Sequence, residues 1–374
     1  MRLRRPSMLL LSTLLPASLV LAACGGSDSD EAKGLDAVTI SGPVGEAPKL
    51  DWKSVMTAKK PVAKVLTEGD GAALKKGDVV RVEFTLADGW THKVPFDSYA
   101  ATSLSTLVTV GTDKEPQTLT DLLSLGFADQ IKAGQKVGSR IAVTVGSDVA
   151  FGGYLGSQAA GLLAGLDIGN EDGLLFVADI AGIAGPEGSE EPAPGWAPKV
   201  VETDGVPTGL DFKGAPKPSG DLEVATLVKG TGPVVTKGQT ILASYLGQIP
   251  GADKPFDESY SKHTGLEAVV GGKDASVVKG WSQALVGLPV GSRVLIQIPP
   301  KLGYGDKAQG EDIPANSTLY FVVDILDAAD TPPKPEPAPE ATPTDGAAPT
   351  DGAAPTDGAT DPSAEPSTDA STEE

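Results

Sequence analysis

The sequence is poor in the residues that build most metal centres and nucleophilic sites. Its 374 residues include one cysteine and two histidines, which excludes a disulfide framework and a cysteine-based metal site. His92 and His263 stand in unrelated contexts, with neither metal-ligand spacing nor a serine, cysteine or aspartate arrangement suited to hydrolysis. We therefore expect a function that needs no metal and no cofactor.

Basic residues are also scarce. The chain has 30 lysines and arginines against 50 aspartates and glutamates, and its formal net charge is −20 at pH 7. Because nucleic-acid binding depends on cationic contacts to phosphate, this balance argues against a nucleic-acid partner. Solubility and self-repulsion are sufficient to explain the acidity, which identifies no specific partner.

A single long apolar run lies near the start, over residues 8–21, after three arginines. It is shorter than the roughly 20 residues that a membrane-spanning helix needs, and it is typical of a signal peptide. The run leads into LAACG, which resembles a bacterial lipobox with Cys24 as its cysteine. Two acyl chains on Cys24 would give stable anchoring. We predict a lipoprotein signal peptide over 1–23 and an extracytoplasmic protein anchored to the membrane by lipid on Cys24.

The remaining chain contains an imperfect duplication. Residues 123–151 read LSLGFADQIKAGQKVGSRIAVTVGSDVAF, and residues 277–304 read VVKGWSQALVGLPVGSRVLIQIPPKLGY. Both carry an aromatic residue after glycine, a short helical patch, the identical Val-Gly-Ser-Arg and a strand. Both end in an aromatic-glycine pair at the same distance from Arg140 and Arg293. The duplication predicts two domains, of which one is better able to carry out the function than the other.

The hydrophobic pattern predicts the fold class. Apolar and polar residues alternate in 62–84 and 222–245, as in half-buried strands. One short helix is predicted in each unit; in the second it carries the stripe Trp281, Leu285 and Leu288 and ends at Pro289. We predict an α+β fold of two tandem domains, each an antiparallel sheet wrapped on one short helix.

Composition sets the predicted boundaries. After the signal peptide we expect a tether with an irregular extended lead (24–61), a first domain (62–184), a Pro-, Gly- and Glu-rich linker (185–221) and a second domain (222–329). Residues 330–374, rich in Pro, Ala, Thr and Asp, are predicted to form a disordered tail. This tail is either plain solvated chain or a cell-wall spacer.

Motifs in the second unit stand in the order of a known family. They are Tyr245 in ASYLG, Phe256 and Asp257 in KPFDES, Val277, Val278 and Trp281 in VVKGW, Tyr304 in GYG, Ile313 in DIPANSTL and Phe321 in LYFVVDI. Residues 222–328 closely resemble the FKBP-type peptidyl-prolyl cis-trans isomerases, and residues 62–183 resemble them loosely. The resemblance implies an FKBP-like fold in both units and isomerase activity mainly in the second.

The resemblance also implies a role for each residue. The X-Pro bond is separated from its isomer by a barrier of about 18–20 kcal/mol, and an apolar pocket that excludes water favours the less polar twisted amide. Trp281 would form the floor, and the rim would present Tyr304 and the Val278 N–H to substrate carbonyls. The implied catalytic residues are Asp257, Tyr304, Trp281 and Tyr245, and the implied substrate-binding residues are Phe256, Val277, Val278, Ile313, Phe321 and Leu266.

Two departures from the family pattern modify this expectation. Leu266 stands where the family usually has an aromatic residue, which is expected to soften one pocket wall. In the first unit, Phe84 stands for the strand tyrosine, Phe127 for the tryptophan, Phe151 for the rim tyrosine, Ser124 for Val278 and Ile168-Gly169 for the Ile-Pro pair, while Phe96, Asp97 and Phe176 remain. We expect weak or absent catalysis there.

These observations leave three functions open. The first is a membrane-anchored extracytoplasmic prolyl isomerase that assists the folding of proline-containing exported polypeptides. The second is a non-catalytic chaperone or binding module for proline-containing or apolar segments. The third is a structural lipoprotein, in which the aromatic residues simply fill the core, as aromatic residues on strands usually do.

Overall fold

The computed structural model describes residues 31–112 and 115–332. The predicted signal peptide, Cys24 and all of the predicted tail beyond residue 332 therefore lie outside the described residues. None of the helices in the described ranges is long and apolar enough to cross a membrane. The described residues up to Pro332 belong to one compact unit.

The first half of this unit, residues 31–184, is mainly strands. In chain order its elements are β1 (Glu31–Lys33), β2 (Val38–Ser41), β3 (Lys49–Trp52), β4 (Val55–Thr57), β5 (Val62–Thr67), β6 (Val79–Asp88), β7 (Phe96–Asp97), β8 (Thr106–Thr109), α1 (Leu119–Ser124), β9 (Arg140–Gly146), α2 (Ser147–Phe151), α3 (Ala159–Gly165) and β10 (Gly173–Ile183).

The second half, residues 185–332, follows the same plan. Its elements are β11 (Gly188–Glu190), β12 (Lys199–Thr203), β13 (Val206–Asp211), β14 (Glu223–Gly230), β15 (Gln239–Gln248), β16 (Asp257–Glu258), β17 (Leu266–Val269), α4 (Lys279–Leu285), β18 (Arg293–Ile298) and β19 (Leu319–Asp330).

Each half contains one large antiparallel sheet, and the two large sheets share the same strand order. The first sheet runs β5-β9-β10-β6-β7, with β8 also paired to β6. The second runs β14-β18-β19-β15-β16, with β17 also paired to β15 and β11 added outside β14. Sequence duplication and topology therefore coincide, strand for strand.

The central strands β10 and β19 are buried along most of their length rather than on alternate residues. Such burial requires cover on both faces of a sheet. On one face, the short helices and loops pack over the larger apolar cluster of each half. On the other face, the hairpins β2-β3 and β12-β13 contribute to a smaller cluster.

These hairpins differ from the expectation of irregular extended leads. The predicted leads were PKLDWKS (48–54) and TGLDFKG (208–214). The first contains β3, and the second contains the end of β13 and the three residues after it. Their aromatic side chains, Trp52 and Phe212, pack against the sheet beneath them. Alternation over only four to six residues gave too weak a signal to identify either hairpin from the sequence.

The arginine of each Val-Gly-Ser-Arg tetrapeptide links a hairpin to its sheet. Arg140 donates Nε and Nη2 to the two Asp179 oxygens, both at 2.7 Å, and donates further to the backbone carbonyls of Gly42 and Glu46. Arg293 pairs in the same way with Asp324 at 2.7 and 2.8 Å, and also contacts Glu202. The repeat therefore encodes a buried ion pair that holds a hairpin in place.

The prediction of one helix per unit is wrong for the first half, which has α1, α2 and α3. The loop from Ser147 to Asp172 is rich in Ala, Gly and Leu, and it lacks the Pro299-Pro300 pair that limits the matching loop of the second half to a 3-10 turn, Pro300–Leu302. Proline prevents that loop from forming interior helix.

The helices near Gly126-Phe127 and Gly280-Trp281 also differ from the predicted ones. A capping box formed by Thr118 and Asp121 starts α1 early, so this helix ends before Phe127, which is followed only by a 3-10 turn. In the second half α4 contains Trp281 but stops at Leu285, because Gly287 adopts φ +95°. Leu288 was predicted to be helical and lies beyond its end.

Candidate functional site

Four aromatic rings meet on the inner face of the second sheet. Tyr245 comes from β15, Phe256 from the residue before β16, Trp281 from α4 and Phe321 from β19. Ring centroids lie 5.6 Å apart for Tyr245–Trp281, 5.3 Å for Trp281–Phe321 and 5.6 Å for Phe256–Phe321, all edge-to-face. This geometry is favourable for aromatic pairs, and it joins side chains far apart in the sequence.

Two glycines make this close packing possible. A Cβ on Gly247 would lie 2.5 Å from the Phe256 ring and 2.6 Å from the Phe321 ring. A Cβ on Gly280, just before the tryptophan, would lie 2.5 Å from Ile298. The glycines therefore let the pocket floor and walls approach each other at distances that no other residue permits.

The second aromatic cluster is buried at its floor and partly exposed at its edge. Trp281 is 3% exposed and Phe321 6%, so both rings lie at the bottom. The predicted wall residues pack against the same core, either buried or half-buried: Tyr245, Phe256, Leu266, Val277, Val278 and Ile313. Together they form an apolar recess with an accessible rim.

Asp257 lies at this rim and is held by three donors. The Tyr245 hydroxyl donates to its Oδ2, and Lys262 Nζ and the Glu258 N–H donate to Oδ1 at 3.0 and 2.9 Å. Partial burial alone would raise the pKa of Asp257, but hydrogen bonds from Tyr245 and Lys262 outweigh it and lower the pKa below its usual value. The rim therefore carries a stable negative charge.

Tyr304 is the other polar rim residue. It follows the 3-10 turn Pro300–Leu302 and is 38% exposed. Burial, and then the hydrogen bond to Asp257 and its charge, raise the pKa of Tyr245 well above its ordinary value. At neutral pH the rim therefore presents a protonated Tyr245 hydroxyl bonded to the Asp257 carboxylate.

The backbone of Val278 contributes a free donor. Val278 precedes α4 with an extended ψ of 150°, and its carbonyl accepts from the Trp281 N–H at 3.0 Å. Across the described residues, its own N–H donates to no protein acceptor. A half-buried unpaired N–H beside an apolar recess is suited to bind a substrate carbonyl.

Two supporting residues were not predicted from the sequence. Lys262 pairs with Asp257, and Ser259 Oγ accepts the backbone N–H of Tyr245 at 3.0 Å. The first half repeats the second contact, since Ser98 Oγ accepts the Phe84 N–H at 2.7 Å. The matching motifs PFDSY and PFDESY were the signal that could have identified both serines.

The first half contains the equivalent cluster of four phenylalanines. Centroids lie 4.8 Å apart for Phe84–Phe96, 4.9 Å for Phe84–Phe127 and 5.6 Å for Phe127–Phe176. Phe84, Phe127 and Phe176 are completely buried. The substitutions read from the sequence thus occupy matching positions in space, but the floor of this cluster is not accessible.

The loop that contains α2 and α3 closes the first cluster. Phe151, Leu163 and Ile168 from this loop are 1%, 1% and 5% exposed and belong to the same core as the four phenylalanines. Phe151 has no hydroxyl to present, and Ser124 is the last residue of α1, so its N–H is used within the helix. The first cluster therefore lacks both the rim hydroxyl and the unpaired N–H of the second.

Within the ranges 31–112 and 115–332, no three histidine, cysteine, aspartate or glutamate side chains are grouped so that they could hold a metal ion.

Comparison with known proteins points to one family. Residues 232–326 match the family model for FKBP-type peptidyl-prolyl cis-trans isomerase. "FK506-binding protein" from Streptomyces anulatus is 36% identical over 118 residues, which cover 31% of this chain and 93% of that protein. "Probable FKBP-type peptidyl-prolyl cis-trans isomerase" from Haemophilus influenzae is 35% identical over 98 residues, covering 26% of this chain and 39% of that protein.

Solved structures give matches of similar extent. The crystal structure of AtFKBP13 has 33% sequence identity, a TM-score of 0.27, and coverage of 30% of this chain and 96% of that chain. FkpA from Escherichia coli has 32% identity, a TM-score of 0.27, and coverage of 30% and 51%.

Proposed function

Because this chain belongs to the FKBP-type peptidyl-prolyl cis-trans isomerase family, we propose that it isomerises X-Pro bonds in the recess of the second half. The observation that carries this proposal is the open aromatic recess with Trp281 at its floor and the Tyr245–Asp257 hydrogen bond at its rim. Its apolar walls fit a proline ring, and its rim offers donors for the flanking carbonyls.

The mechanism follows from the electronic structure of the peptide bond. Rotation breaks the amide resonance that creates a barrier of about 18–20 kcal/mol, and the twisted amide is less polar than the planar one. Burial of the proline ring over Trp281 removes water and favours the twisted form. The Val278 N–H and the Tyr304 hydroxyl would hold the substrate carbonyls, while Asp257 orients the Tyr245 phenol.

We further propose that the two halves are tandem FKBP-like domains with boundaries near 62–184 and 222–329, and that the second carries the activity. The shared strand order and the separate inner cores support two domains. The buried floor of the first cluster supports inactivity of the first.

A cis/trans assay on a short proline peptide tests the activity. Wild type should accelerate isomerisation, and Trp281→Ala with retained folding should abolish most of the acceleration. A wild-type rate equal to the uncatalysed rate would refute the proposal.

A second candidate is a chaperone or binding function without turnover. Large apolar side chains of the first half are exposed, among them Trp90 at 62%, Leu162 at 54%, Val149 at 49% and Val94 at 48%. Where such side chains lie together in one exposed patch, they favour binding of unfolded, apolar segments. Prevention of aggregation by wild type, reduced by Trp90→Ser and unaffected by Trp281→Ala, would support this function beside or instead of catalysis.

We propose that the protein acts outside the cytoplasm, anchored through lipid on Cys24, on proline-containing exported polypeptides. The apolar run 8–21 and the LAACG motif support this location. Metabolic labelling with a fatty acid should label wild type but not Cys24→Ser. Equal labelling, or none in either, would contradict the anchor.

A further inference from the structure

A second concave surface lies beside the aromatic recess. It is an open cleft of about 660 Å³ between the turn before β15, the loop between β17 and α4, and α4 itself. Lys237, Lys273 and Lys279 line it, one from each of these three elements, together with Ser282 and Val277. We call it the lysine cleft.

The three ammonium groups are unpaired. Throughout the described part of the chain, no carboxylate forms an ion pair with Lys237, Lys273 or Lys279. This includes Asp274, although it is the sequence neighbour of Lys273. The residues that line the cleft thus include three lysines and no carboxylate, in a protein of net charge −20. Their charges add in the cleft and favour an anionic occupant.

The backbone also favours this arrangement. Gly271 adopts φ +70°, and a Cβ there would lie 3.0 Å from Lys237 Cγ and 3.2 Å from Val286. The absence of that Cβ lets the stem of Lys237 lie against the loop, while the residue as a whole stays exposed at the cleft.

Ser282 provides a second indication of a polar occupant. Its hydroxyl is buried and has no hydrogen-bond partner among the residues that the structure describes. An unpaired buried hydroxyl costs free energy unless a ligand or water satisfies it. A carboxylate that enters between the lysines would be a suitable acceptor.

Val277 connects the cleft to the recess, because it lines the lysine cleft and also packs against the core that carries the aromatic rings. We propose that the lysine cleft binds an acidic side chain of the same polypeptide whose proline occupies the recess, so that the second half prefers proline segments with a nearby aspartate or glutamate. This inference rests on the proposed isomerase function.

The experiment compares proline peptides that differ at one residue, two or three positions from the proline on either side, as Glu, Gln or Lys. At low ionic strength, kcat/KM of the full chain should be about fivefold higher for a Glu than for the matched Gln peptide. The difference should disappear near 1 M salt, where the screening length falls to about 3 Å. The overall charge of the protein predicts the opposite order, since it repels acidic peptides.

Two variants localise the effect. The triple variant K237Q/K273Q/K279Q should reduce the Glu-to-Gln ratio to about one. The control K199Q/K213Q/K217Q removes the same charge from exposed lysines outside the cleft and should keep the ratio.

Each possible outcome decides a separate question. No turnover of the Gln peptide by wild type would refute the isomerase function itself. Turnover of the Gln peptide with no preference for Glu, or a preference that survives K237Q/K273Q/K279Q, would overturn only the lysine cleft.

Discussion

The two aromatic clusters share a scaffold and differ in access. Both are built on a sheet of the same strand order, with rings at matching positions and a serine that accepts the N–H of the strand aromatic. In the second half a proline-restricted turn leads to the exposed Tyr304. In the first, helices α2 and α3 bring Phe151 and Leu163 into the core around the phenylalanines. A single loop therefore separates a recess from a closed core.

This difference shows which features the fold itself requires. Both halves retain the buried Arg-Asp pair, the hairpin cover and the four inner rings, because each supports the sheet. The features found only in the second half are the Tyr245 hydroxyl, the free Val278 N–H and the exposed Tyr304, all at the rim. Substitutions at equivalent positions of the two halves test this comparison.

The largest effect, on the free energy of unfolding, is expected from substitution of the buried arginines. Arg140→Met and Arg293→Met each leave an aspartate buried without its partner, at an expected cost of about 3–5 kcal/mol in the free energy of unfolding. Because each sheet has its own core, Arg140→Met should unfold the first half and spare isomerase activity, whereas Arg293→Met should lose both. The measurement is denaturant unfolding followed together with activity.

Lys93→Met is the control for this pair. Lys93 and its partner Asp167 are both exposed, with 2.7 Å between Nζ and Oδ2, so its loss should change stability little. Loss of activity in Arg140→Met at the same midpoint as unfolding of the first half would show that the two halves fold as one.

The next effect concerns the pocket floor. Trp281→Ala should reduce kcat/KM about a hundredfold, equivalent to about 2.7 kcal/mol of transition-state stabilisation, because the proline ring loses its apolar platform. Phe127→Ala, the matching change in the first half, should reduce stability but leave the rate of folded protein unchanged. An equal loss of rate in both variants would assign catalysis to both halves.

A smaller effect concerns Glu83 of β6. Burial, and then the Asp327 carboxylate, raise the pKa of Glu83 from 4.5 to about 7, although Arg81 opposes the shift. Ionisation of Glu83 is thus less favourable in the folded than in the unfolded state. Its contribution to stability is complete below pH 4.5 and is lost as the pH rises through about 7. A shift of this size corresponds to about 3.4 kcal/mol, which solvent screening at the partly exposed carboxyl reduces to about 2 kcal/mol.

Glu83→Gln should remove this loss. The variant should therefore be more stable than wild type, by a margin that grows from pH 4.5 to 7. Exposed Glu171→Gln in the same half is the control. In the second half, Ser244 occupies the matching strand position. Parallel pH profiles for wild type and Glu83→Gln would contradict the prediction.

The smallest effect is expected at the rim. Asp257→Asn removes the carboxylate that accepts from the Tyr245 hydroxyl and should reduce kcat/KM about tenfold, or about 1.4 kcal/mol. Asp97→Asn in the first half should leave kcat/KM unchanged, since Asp97 bonds instead to Thr85 and the Tyr99 N–H. An unchanged rate in Asp257→Asn would remove Asp257 from the mechanism.

Much of the recess could be predicted because the resemblance fixed the register of each motif. Tyr245, Phe256, Trp281 and Phe321 meet as expected, and the four phenylalanines of the first half meet at the matching positions. The helices were less predictable. The capping box at Thr118 and the Gly287 turn are local features that shift helix ends by a few residues, and periodicity does not resolve such shifts.

Residue type and spacing were sufficient to identify the duplication and the ring residues of both halves. The folded chain was needed to show that hairpins cover both sheets, that α2 and α3 pack into the first cluster, and that three lysines from separate elements line one cleft. Burial and the convergence of charges depend on contacts between segments far apart in the chain, and no local pattern records those contacts.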